Sequence, residues 1–365
     1  MTSAPAARAS SAVDPLASRL PVTVITGFLG SGKTTLLRRL LRHPGMNRAA
    51  VIINEFGEVG IDHELVAASS EQMTLLGNGC LCCTLRTDLQ ETLRDLFVKR
   101  RAGEVIDFDR VFVETSGLAD PVPVLHTLRT DGLLGAQYRL DGVVTLVDAV
   151  NGAGQLDSMP EAARQAAVAD RLVVTKTDIA DGETVTRLQQ RLEALNPFAL
   201  CATAIDGELD PTVLENIGPR ARNARAEELS RWLGPLASDA ESALQSGSLG
   251  RTSPRSRPHD AAIRSFCLWF DRPFTWQGLN AALQALAELR GPDLLRVKGI
   301  VHVEGEGGPV VLQGAQHLFH PPVTLDGESD TDPRSRIVFI VRNISRESIE
   351  ALFTAVTALG VAPTH

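Results

Sequence analysis

The residues most suited to chemistry lie at 27–34, where the sequence reads GFLGSGKT. This is a complete phosphate-binding loop pattern, and it follows an apolar, β-rich run and opens an amphipathic stretch, as such a loop requires. Glycines let backbone N–H groups fold around a β-phosphate, Lys33 neutralises the β- and γ-phosphates, and Thr34 supplies a ligand for Mg²⁺. The nucleotide-binding residues expected here are Gly27, Gly30, Ser31, Gly32, Lys33, Thr34 and Thr35.

A second polar element, Thr175-Lys176-Thr177-Asp178, ends another apolar run. It stands where GTPases carry Asn-Lys-x-Asp, with Thr175 in place of the asparagine. The Asp178 carboxylate can accept hydrogen bonds from the ring N–H and the exocyclic amine of guanine, which adenine does not present in that arrangement. We therefore expect GTP or GDP to contact Thr175, Lys176 and Asp178. The alternative interpretation is a charged turn between a strand and a helix.

An acidic residue ends the apolar run Val111-Phe112-Val113-Glu114, and Thr115-Ser116-Gly117 follow it. In a parallel sheet this strand ends beside the phosphate-binding loop, so Glu114 is expected to face Mg²⁺ or its water, and Gly117 to contact the nucleotide. Asp148 ends the next strand and is the rival acid, although a helix-capping or loop role suits it better. The expected catalytic residues are Lys33, Thr34 and Glu114.

Three of the five cysteines, Cys80, Cys82 and Cys83, fall within four residues. Three thiolates in one turn would supply most of a tetrahedral shell for Zn²⁺ or, alternatively, Co²⁺, because soft sulfur selects such metals over Mg²⁺ and Ca²⁺. A buried structural thiol pair and a redox switch are the competing interpretations. The candidates for a further metal ligand are Glu55, Glu58 and His63.

Composition excludes several classes of protein. A formal net charge of -8 argues against the broad basic surface that nucleic-acid binding needs. No apolar run approaches the roughly 18 residues of a membrane span, and the N-terminus lacks the apolar middle of a secretory signal, so a cytoplasmic location is expected. Clustered thiols argue against a disulfide framework. The isolated Cys201 and Cys267 are predicted to be small core residues.

The elements that must position these residues alternate β-rich runs with amphipathic stretches, which predicts a doubly wound, mostly parallel α/β sheet of the P-loop NTPase type. The predicted strands cover residues 21–26, 50–54, 110–114, 142–147, 171–175 and 200–203. The predicted helices cover residues 33–41, 84–100, 121–130, 161–168 and 182–195.

At 365 residues the chain is long enough for two domains. After Gly218 a possible helix at 226–244 runs into SGSLGRTSPRSRPHD, whose composition is typical of a flexible linker. We expect a flexible tail at 1–19, a GTPase domain at 20–217, a helix and linker at 218–260 and a smaller α+β domain at 261–365. In the last domain the predicted strands are 263–270, 294–303, 310–318 and 337–342, and the predicted helices are 276–289 and 346–359.

Taken in order, the phosphate-binding loop, the run NEFGEVGID at 54–62, the cysteine cluster, Glu114-Thr115-Ser116-Gly117 and Thr175-Lys176-Thr177-Asp178 resemble the CobW family. The resemblance covers nearly everything after Leu20, and RVKGI at 296–300 is similar to part of the family's C-terminal domain. It implies a GTPase metallochaperone or metal insertase, related to the hydrogenase and urease nickel-insertion GTPases. By that analogy residues 55–62 are a switch joining the two sites. If this switch orders around the γ-phosphate and Mg²⁺, it would also move the cysteines or supply Glu58 as a further metal ligand.

The chain departs from the family in one respect, because many members carry a histidine-rich tract before the C-terminal domain and here the linker holds only His259. This argues against bulk metal storage through histidines. Two functions remain. One is an enzyme whose GTP hydrolysis drives metal transfer to a client metalloprotein or a cobalt-inserting complex, and it would be slow alone because no separate general base is apparent. The other is a metal-sensing or regulatory module that uses GTP as a conformational ligand. A homodimer is possible for either.

Overall fold

A large, mostly parallel sheet forms the centre of the first domain in this computed structural model, which describes residues 19–54, 73–75, 81–84, 89–215, 217–218, 226–233, 263–319, 322–326 and 332–359. The eight strands run in the order β3-β4-β2-β5-β1-β6-β7-β8, and only the β3–β4 pair is antiparallel. In chain order the strands are β1 (Leu20–Gly27), β2 (Ala49–Asn54), β3 (Met73–Leu75), β4 (Leu81–Thr84), β5 (Arg110–Thr115), β6 (Tyr138–Asp148), β7 (Arg171–Thr175) and β8 (Leu200–Ala204).

Helices cover both faces of this sheet, as the apolar strands require. Strands buried on both faces read as near-continuous Val, Ile and Leu runs, and β1 and β5 have this character. Leu36 and Leu40 of α1 pack on one face, whereas Leu93 and Leu125 from the second and third helices pack on the other. The helices are α1 (Lys33–Leu40), α2 (Leu89–Ala102), α3 (Val122–Thr130), α4 (Gly132–Gln137), α5 (Gly152–Ser158), α6 (Pro160–Val168), α7 (Gly182–Leu195) and α8 (Ala226–Leu233).

A second, antiparallel sheet forms the C-terminal domain, in the order β12-β11-β10-β14-β9, with β13 paired to β11. Its strands are β9 (Ile263–Phe270), β10 (Leu294–Val301), β11 (Val310–Ala315), β12 (Leu318–Phe319), β13 (Val323–Thr324) and β14 (Ser335–Arg342). Helices α9 (Trp276–Arg290) and α10 (Arg346–Leu359) accompany it. The predicted fold class, a parallel α/β domain followed by a smaller α+β domain, is confirmed.

Both faces of the second sheet are buried, because the first domain covers the face that its own helices leave open. Along β14, Ile337 and Phe339 belong to the core beneath α9 and α10, whereas the alternate residues Val338 and Ile340 do not. These alternate residues share one apolar cluster with Val168 of α6 and with helix α8. The two domains are therefore joined by a continuous hydrophobic core.

A buried ion cluster lies at the same junction. Asp170, between α6 and β7, accepts hydrogen bonds from Arg296 Nη2 at 2.8 and 2.9 Å, and its Oδ1 lies 2.6 Å from Lys298 Nζ. The Asp170 carboxylate also accepts from the Val143 N–H at 2.8 Å, and the Lys298 ammonium donates to the Trp232 carbonyl at 3.1 Å. None of the three charged residues is more than 2% exposed. Burial at this depth makes each charge depend on its partners.

The pKa values of the acid and of one base in the cluster are both lowered, for different reasons. Burial alone raises the pKa of the Asp170 carboxyl, but the Arg296 and Lys298 cations outweigh it and hold that pKa well below its usual range. Burial lowers the pKa of Lys298 to about 8, against the attraction of Asp170. The Asp170 carboxylate is therefore the counter-charge that keeps Arg296 and Lys298 in the protein interior.

Several predicted elements need correction. The segment 84–100 was expected to be one helix, but Thr84 ends strand β4, which pairs with β2, and the described helix begins at Leu89. Strands β3 and β4 and helices α4 and α5 were not predicted. A turn at Gln316 divides the predicted strand 310–318 into β11 and β12.

Other boundaries moved or lie outside the described residues. Strand β6 begins at Tyr138, four residues before the predicted start. The predicted helix 226–244 is described only as far as Leu233, and the predicted tail 1–19 and linker 218–260 fall mostly outside the described part. No helix among the described residues is long and apolar enough to cross a membrane.

Asp170→Asn is expected to lower the free energy of unfolding by about 3–5 kcal/mol, because it leaves two buried cations without their counter-charge. Urea unfolding at neutral pH measures the change. The folded-state pKa of Asp170 is depressed, so its contribution is present above the ordinary carboxyl pKa of about 3.9 and is lost as the pH falls below that value. The difference between wild type and variant should accordingly shrink on acidification.

The matched control is Asp107→Asn, which removes a carboxylate paired with Arg48 and Arg100 on a side chain that is 71% exposed. An exposed pair of this kind contributes about 0–1 kcal/mol. Equal destabilisation by the two substitutions would contradict a special role for the buried cluster.

Candidate functional site

The phosphate-binding loop connects β1 to α1 and is shaped by three glycines with positive φ: 145° at Gly27, 75° at Gly30 and 90° at Gly32. Only glycine adopts such conformations freely. A Cβ at Gly27 would lie 2.4 Å from the Leu146 carbonyl oxygen, so no side chain fits there. A Cβ at Gly30 would meet nothing within 4 Å, so this part of the loop faces open space. The loop thus has the form of a cradle open on one side.

Lys33 turns its side chain back over this loop. Its Nζ donates to the Gly27 carbonyl at 2.8 Å and to the Phe28 carbonyl at 3.3 Å, and the residue is 9% exposed. The ammonium therefore lies against the curve of the backbone. An anion held by the loop N–H groups would meet this charge directly.

Thr34 and Glu114 are brought together from distant parts of the sequence. Glu114 is paired with Ile25 across β5 and β1, and its Oε1 accepts a hydrogen bond from Thr34 Oγ1 at 2.9 Å. The carboxylate is 3% exposed. A hydroxyl and a carboxylate beside a phosphate-binding loop are hard oxygen donors, which suit Mg²⁺ with its partial water shell.

Thr175 directs its hydroxyl inward, where Oγ1 donates to the Ser31 carbonyl at 2.8 Å. It therefore supports the phosphate-binding loop. The next residue, Lys176, has φ of 58° and places Nζ 2.7 Å from Asp148 Oδ2. Asp178 is exposed, and its carboxylate makes no hydrogen bond or ion pair with any described residue. The four-residue element thus ends in a carboxylate directed to solvent.

Asp148, the rival acid, is occupied by its own loop. Its carboxylate accepts from the Val150 N–H at 2.8 Å, from the Asn151 N–H at 3.3 Å and from Asn151 Nδ2 at 3.0 Å, besides the contact with Lys176. Burial opposes ionisation, but Lys176 and these donors together lower the pKa of Asp148. This geometry suits a loop-forming role and fixes the Lys176 side chain.

Gly117 lies directly against the phosphate-binding loop, because a Cβ there would be 2.8 Å from the Leu29 backbone nitrogen. The segment that follows is held by two side chains that sequence patterns did not indicate. Gln165 of α6 donates through Nε2 to the Gly117 carbonyl at 3.2 Å and to the Ala119 carbonyl at 2.9 Å. Gln316 of the C-terminal domain donates to Asp120 Oδ2 at 3.0 Å. Neither glutamine belongs to a motif, so only the fold reveals them.

The cysteine segment is displaced from its expected geometry. Cys82 and Cys83 lie in strand β4, where they pair with Val51 and Ile52 of β2, so their backbone is extended and does not form a turn. Strand β2 separates β4 from β5, and Ile53 pairs with Glu114 on one side and with Thr84 on the other. At about 4.8 Å per strand, the cysteine strand runs roughly 10 Å from the Glu114 strand.

The remaining metal candidates Cys80, Glu55, Glu58 and His63, together with the predicted switch at 55–62, lie outside the described residues. Within the described part of the chain, no group of three or more His, Cys, Asp or Glu residues is arranged to hold a metal ion. The prediction that Cys201 is a core residue is wrong, since it is exposed on the edge strand β8. Cys267 is half-buried on the edge strand β9, and burial raises its pKa to about 12.

Comparison with known proteins assigns both domains. Residues 21–202 match the family model of the CobW/HypB/UreG nucleotide-binding domain, and residues 263–357 match that of the cobalamin synthesis protein CobW C-terminal domain. The zinc chaperone YjiA of Escherichia coli is 34% identical over 92% of this chain and 98% of its own length. The zinc-regulated GTPase metalloprotein activator 1 of Saccharomyces cerevisiae is 28% identical over 92% of this chain and 82% of its own.

A solved structure agrees with these relatives. The crystal structure of the Zn(II)-bound YjiA GTPase from E. coli superposes with a TM-score of 0.69, at 33% identity, covering 93% of this chain and 99% of that one. The family resemblance inferred from the order of the motifs is confirmed.

Thr175→Val is expected to lower the free energy of unfolding by about 1–3 kcal/mol, because it retains the side-chain shape but leaves the buried Ser31 carbonyl without its donor. Thermal or urea unfolding measures this. The control is Thr186→Val, where the hydroxyl donates to the Gly182 carbonyl on the exposed surface of α7 and the change should stay within about 0.5 kcal/mol. Equal losses at the two positions would show that the Thr175 hydroxyl does not support the loop.

Proposed function

The chain belongs to the CobW/HypB/UreG family, and we propose that it is a GTPase metallochaperone that uses its nucleotide state to control the binding and delivery of zinc. One observation carries the proposal: a relative named as a zinc chaperone, and solved as a zinc-bound GTPase, aligns over nearly the whole length of both chains. The paired Thr34 and Glu114 beside a complete phosphate-binding loop supply the chemistry that GTP hydrolysis needs.

The catalytic roles proposed are those of Lys33, Thr34 and Glu114. Lys33 neutralises charge on the β- and γ-phosphates. When nucleotide binds, its ammonium would give up its hydrogen bond to the loop carbonyl and donate to phosphate oxygens instead. Thr34 would hold Mg²⁺ directly and Glu114 would hold the metal or one of its waters, and Mg²⁺ there would supply positive charge beside the phosphate oxygens. The residues proposed to hold the phosphates are Gly27, Gly30, Ser31, Gly32, Thr35 and Gly117.

Guanine specificity is proposed to rest on Asp178. Its exposed carboxylate makes no hydrogen bond or ion pair with any described residue. It closely follows Thr175 and Lys176, whose side chains are held by Ser31 and Asp148. Fixed neighbours pre-organise the carboxylate for the two N–H groups of guanine. This chain has Thr175 where the Asn-Lys-x-Asp pattern has asparagine, but Asp178, the residue proposed to bind the guanine base, is retained.

Asp178→Asn is expected to weaken GDP binding about 10-fold or more and to improve binding of xanthosine diphosphate, because the amide presents a donor where guanine also has one. Competition against a fluorescent nucleotide measures both affinities. Asp95→Asn, which alters an exposed carboxylate paired with Lys99 on α2, is the matched control and should change neither affinity. Wild-type protein that binds ADP as tightly as GDP would contradict the guanine assignment.

The metal site is proposed to consist of Cys80, Cys82, Cys83 and Glu58, with Zn²⁺ as the cargo and Co²⁺ as the alternative. Support comes from the strand order, because β2 runs between the cysteine strand and the Glu114 strand and ends at Asn54, immediately before the switch proposed at 55–62. A rearrangement of that switch around the γ-phosphate would act on a neighbouring strand of the metal site. The cargo would pass in the cytoplasm to a client metalloprotein, and a homodimer is compatible with this function.

Metal affinity is expected to depend on the nucleotide. A coupling of about 1–3 kcal/mol would make zinc binding roughly 5- to 150-fold tighter with a non-hydrolysable GTP analogue than with GDP. Linkage requires that zinc tighten the GTP analogue by the same factor. Chelator competition and nucleotide titration measure the two arms independently.

Two variants define this experiment. Cys82→Ala combined with Cys83→Ala should abolish the coupling in both arms while GDP affinity is retained, and Lys33→Ala should abolish nucleotide binding while the protein still melts cooperatively. Equal zinc affinities in the two nucleotide states would sink the metallochaperone function and leave a plain GTPase. Coupling without any multiple-turnover hydrolysis would instead identify the metal-sensing module.

A further inference from the structure

The segment from Ser116 to Pro121, which we call the Gly117 loop, is held from two domains at once. Gly117, near its start, lies against Leu29 of the phosphate-binding loop. The side-chain amide of Gln165 donates to the Gly117 and Ala119 carbonyls, and that of Gln316 donates to the Asp120 carboxylate. Gln165 lies in the first domain and Gln316 in the C-terminal domain. This segment, which lies against the phosphate-binding loop, therefore has a direct link to the other domain.

Gln165 gives the loop a fixed support within its own domain. The residue is 1% exposed, and its backbone carbonyl accepts a hydrogen bond from Thr145 Oγ1 at 2.7 Å, which ties α6 to strand β6. From that position Nε2 reaches both the Gly117 and the Ala119 carbonyls. The hydrogen bonds from Gln165 to the Gly117 loop are therefore tied to the position of helix α6.

Gln316 supplies the other support from the turn between β11 and β12. It is a non-glycine residue with φ of 53°, and its backbone N–H donates to the Leu294 carbonyl at 2.6 Å. Holding a residue with a Cβ in the left-handed region requires such surrounding contacts. Its Nε2 donates to Asp120 Oδ2 at 3.0 Å, while Asp120 Oδ1 accepts the Val122 N–H at the start of α3.

The turn that carries Gln316 cannot simply follow the Gly117 loop if the loop moves. Leu294, which binds the turn, begins the strand that also holds Arg296 and Lys298 in the buried cluster with Asp170. The C-terminal domain is thereby anchored to the first domain independently of the Asp120 contact. An anchored donor holds the loop in one position and does not travel with it.

We propose that Gln316 is a positioning residue for the GTPase site, through which the C-terminal domain holds the Gly117 loop against the phosphate-binding loop and favours the triphosphate state. The inference rests on the proposed contact of Gly117 with the phosphates, which we assign to the γ-phosphate because Gly117 follows the proposed Mg²⁺ residue Glu114 by three positions and lies against the phosphate-binding loop. A diphosphate presents no group at that position, so releasing the loop affects binding of the triphosphate selectively. The C-terminal domain thus takes part in nucleotide discrimination without touching the nucleotide.

Gln316→Ala is expected to weaken binding of a non-hydrolysable GTP analogue with Mg²⁺ about 3- to 10-fold, the range for the net contribution of one ordinary intramolecular hydrogen bond. GDP affinity should stay within about 2-fold of wild type, since GDP has no γ-phosphate for the Gly117 loop to contact. Competition against a fluorescent nucleotide gives both values. Gln284→Ala is the matched control, because it removes an amide-to-carboxylate hydrogen bond with Glu288 on the exposed surface of α9.

Two further variants keep the test decisive. Gln316→Gly removes the same side chain but suits the left-handed backbone, so it must reproduce the selective loss even if the alanine variant is unstable. Asp120→Ala also removes the acceptor of the Val122 N–H, so the test is the double variant: Asp120→Ala with Gln316→Ala must lose no more affinity than Asp120→Ala alone, because both changes break the same contact.

The inference is overturned if the glycine variant binds the GTP analogue like wild type, if GDP affinity falls equally, or if the losses at Asp120 and Gln316 add. Failure of the proposed function looks different. In that case wild-type protein itself shows no Mg²⁺-dependent binding of the GTP analogue, and both proposals fall together.

Discussion

The arrangement of the two domains depends on one buried charge. Asp170 cannot remain ionised in the interior without nearby cations, and within the described chain its cations come from β10, a strand of the other domain. The carboxylate also accepts the Val143 N–H of β6, so the same group fixes the register between the sheet and the second domain. Docking of the C-terminal domain is therefore a requirement of the first domain's own core.

The buried Asp170 cluster is connected to the phosphate-binding loop through strand β7. Asp170 precedes the strand and Thr175 ends it, where the hydroxyl supports Ser31 of the phosphate-binding loop. Five residues of strand, about 17 Å, therefore separate the interdomain cluster from the loop. Together with Gln316, this connects the nucleotide site to the C-terminal domain through two separate attachments.

How much of this was predictable varies with the physical origin of each feature. The phosphate-binding loop, Glu114 and the Thr175–Asp178 element were located from sequence because each depends on local residue types at the end of an apolar strand. Strands β3 and β4 were missed because they are only three and four residues long, and because the helix pattern of α2 was extended over Thr84. Gln165 and Gln316 were not identified, because a side-chain amide that donates to a carbonyl or carboxylate oxygen distant in sequence leaves no periodic or motif pattern.

The cysteine strand lies in a hairpin-like pair at one margin of the parallel sheet, where β3 is the outermost strand and β4 joins the pair to β2. Strands at a sheet margin can change in length and sequence at little cost to the strands that remain paired behind them. The elements around the phosphate-binding loop belong instead to the interior of the sheet and its double core. Under the proposed function, a change confined to this peripheral pair would exchange the cargo ion while the nucleotide-binding elements stay conserved.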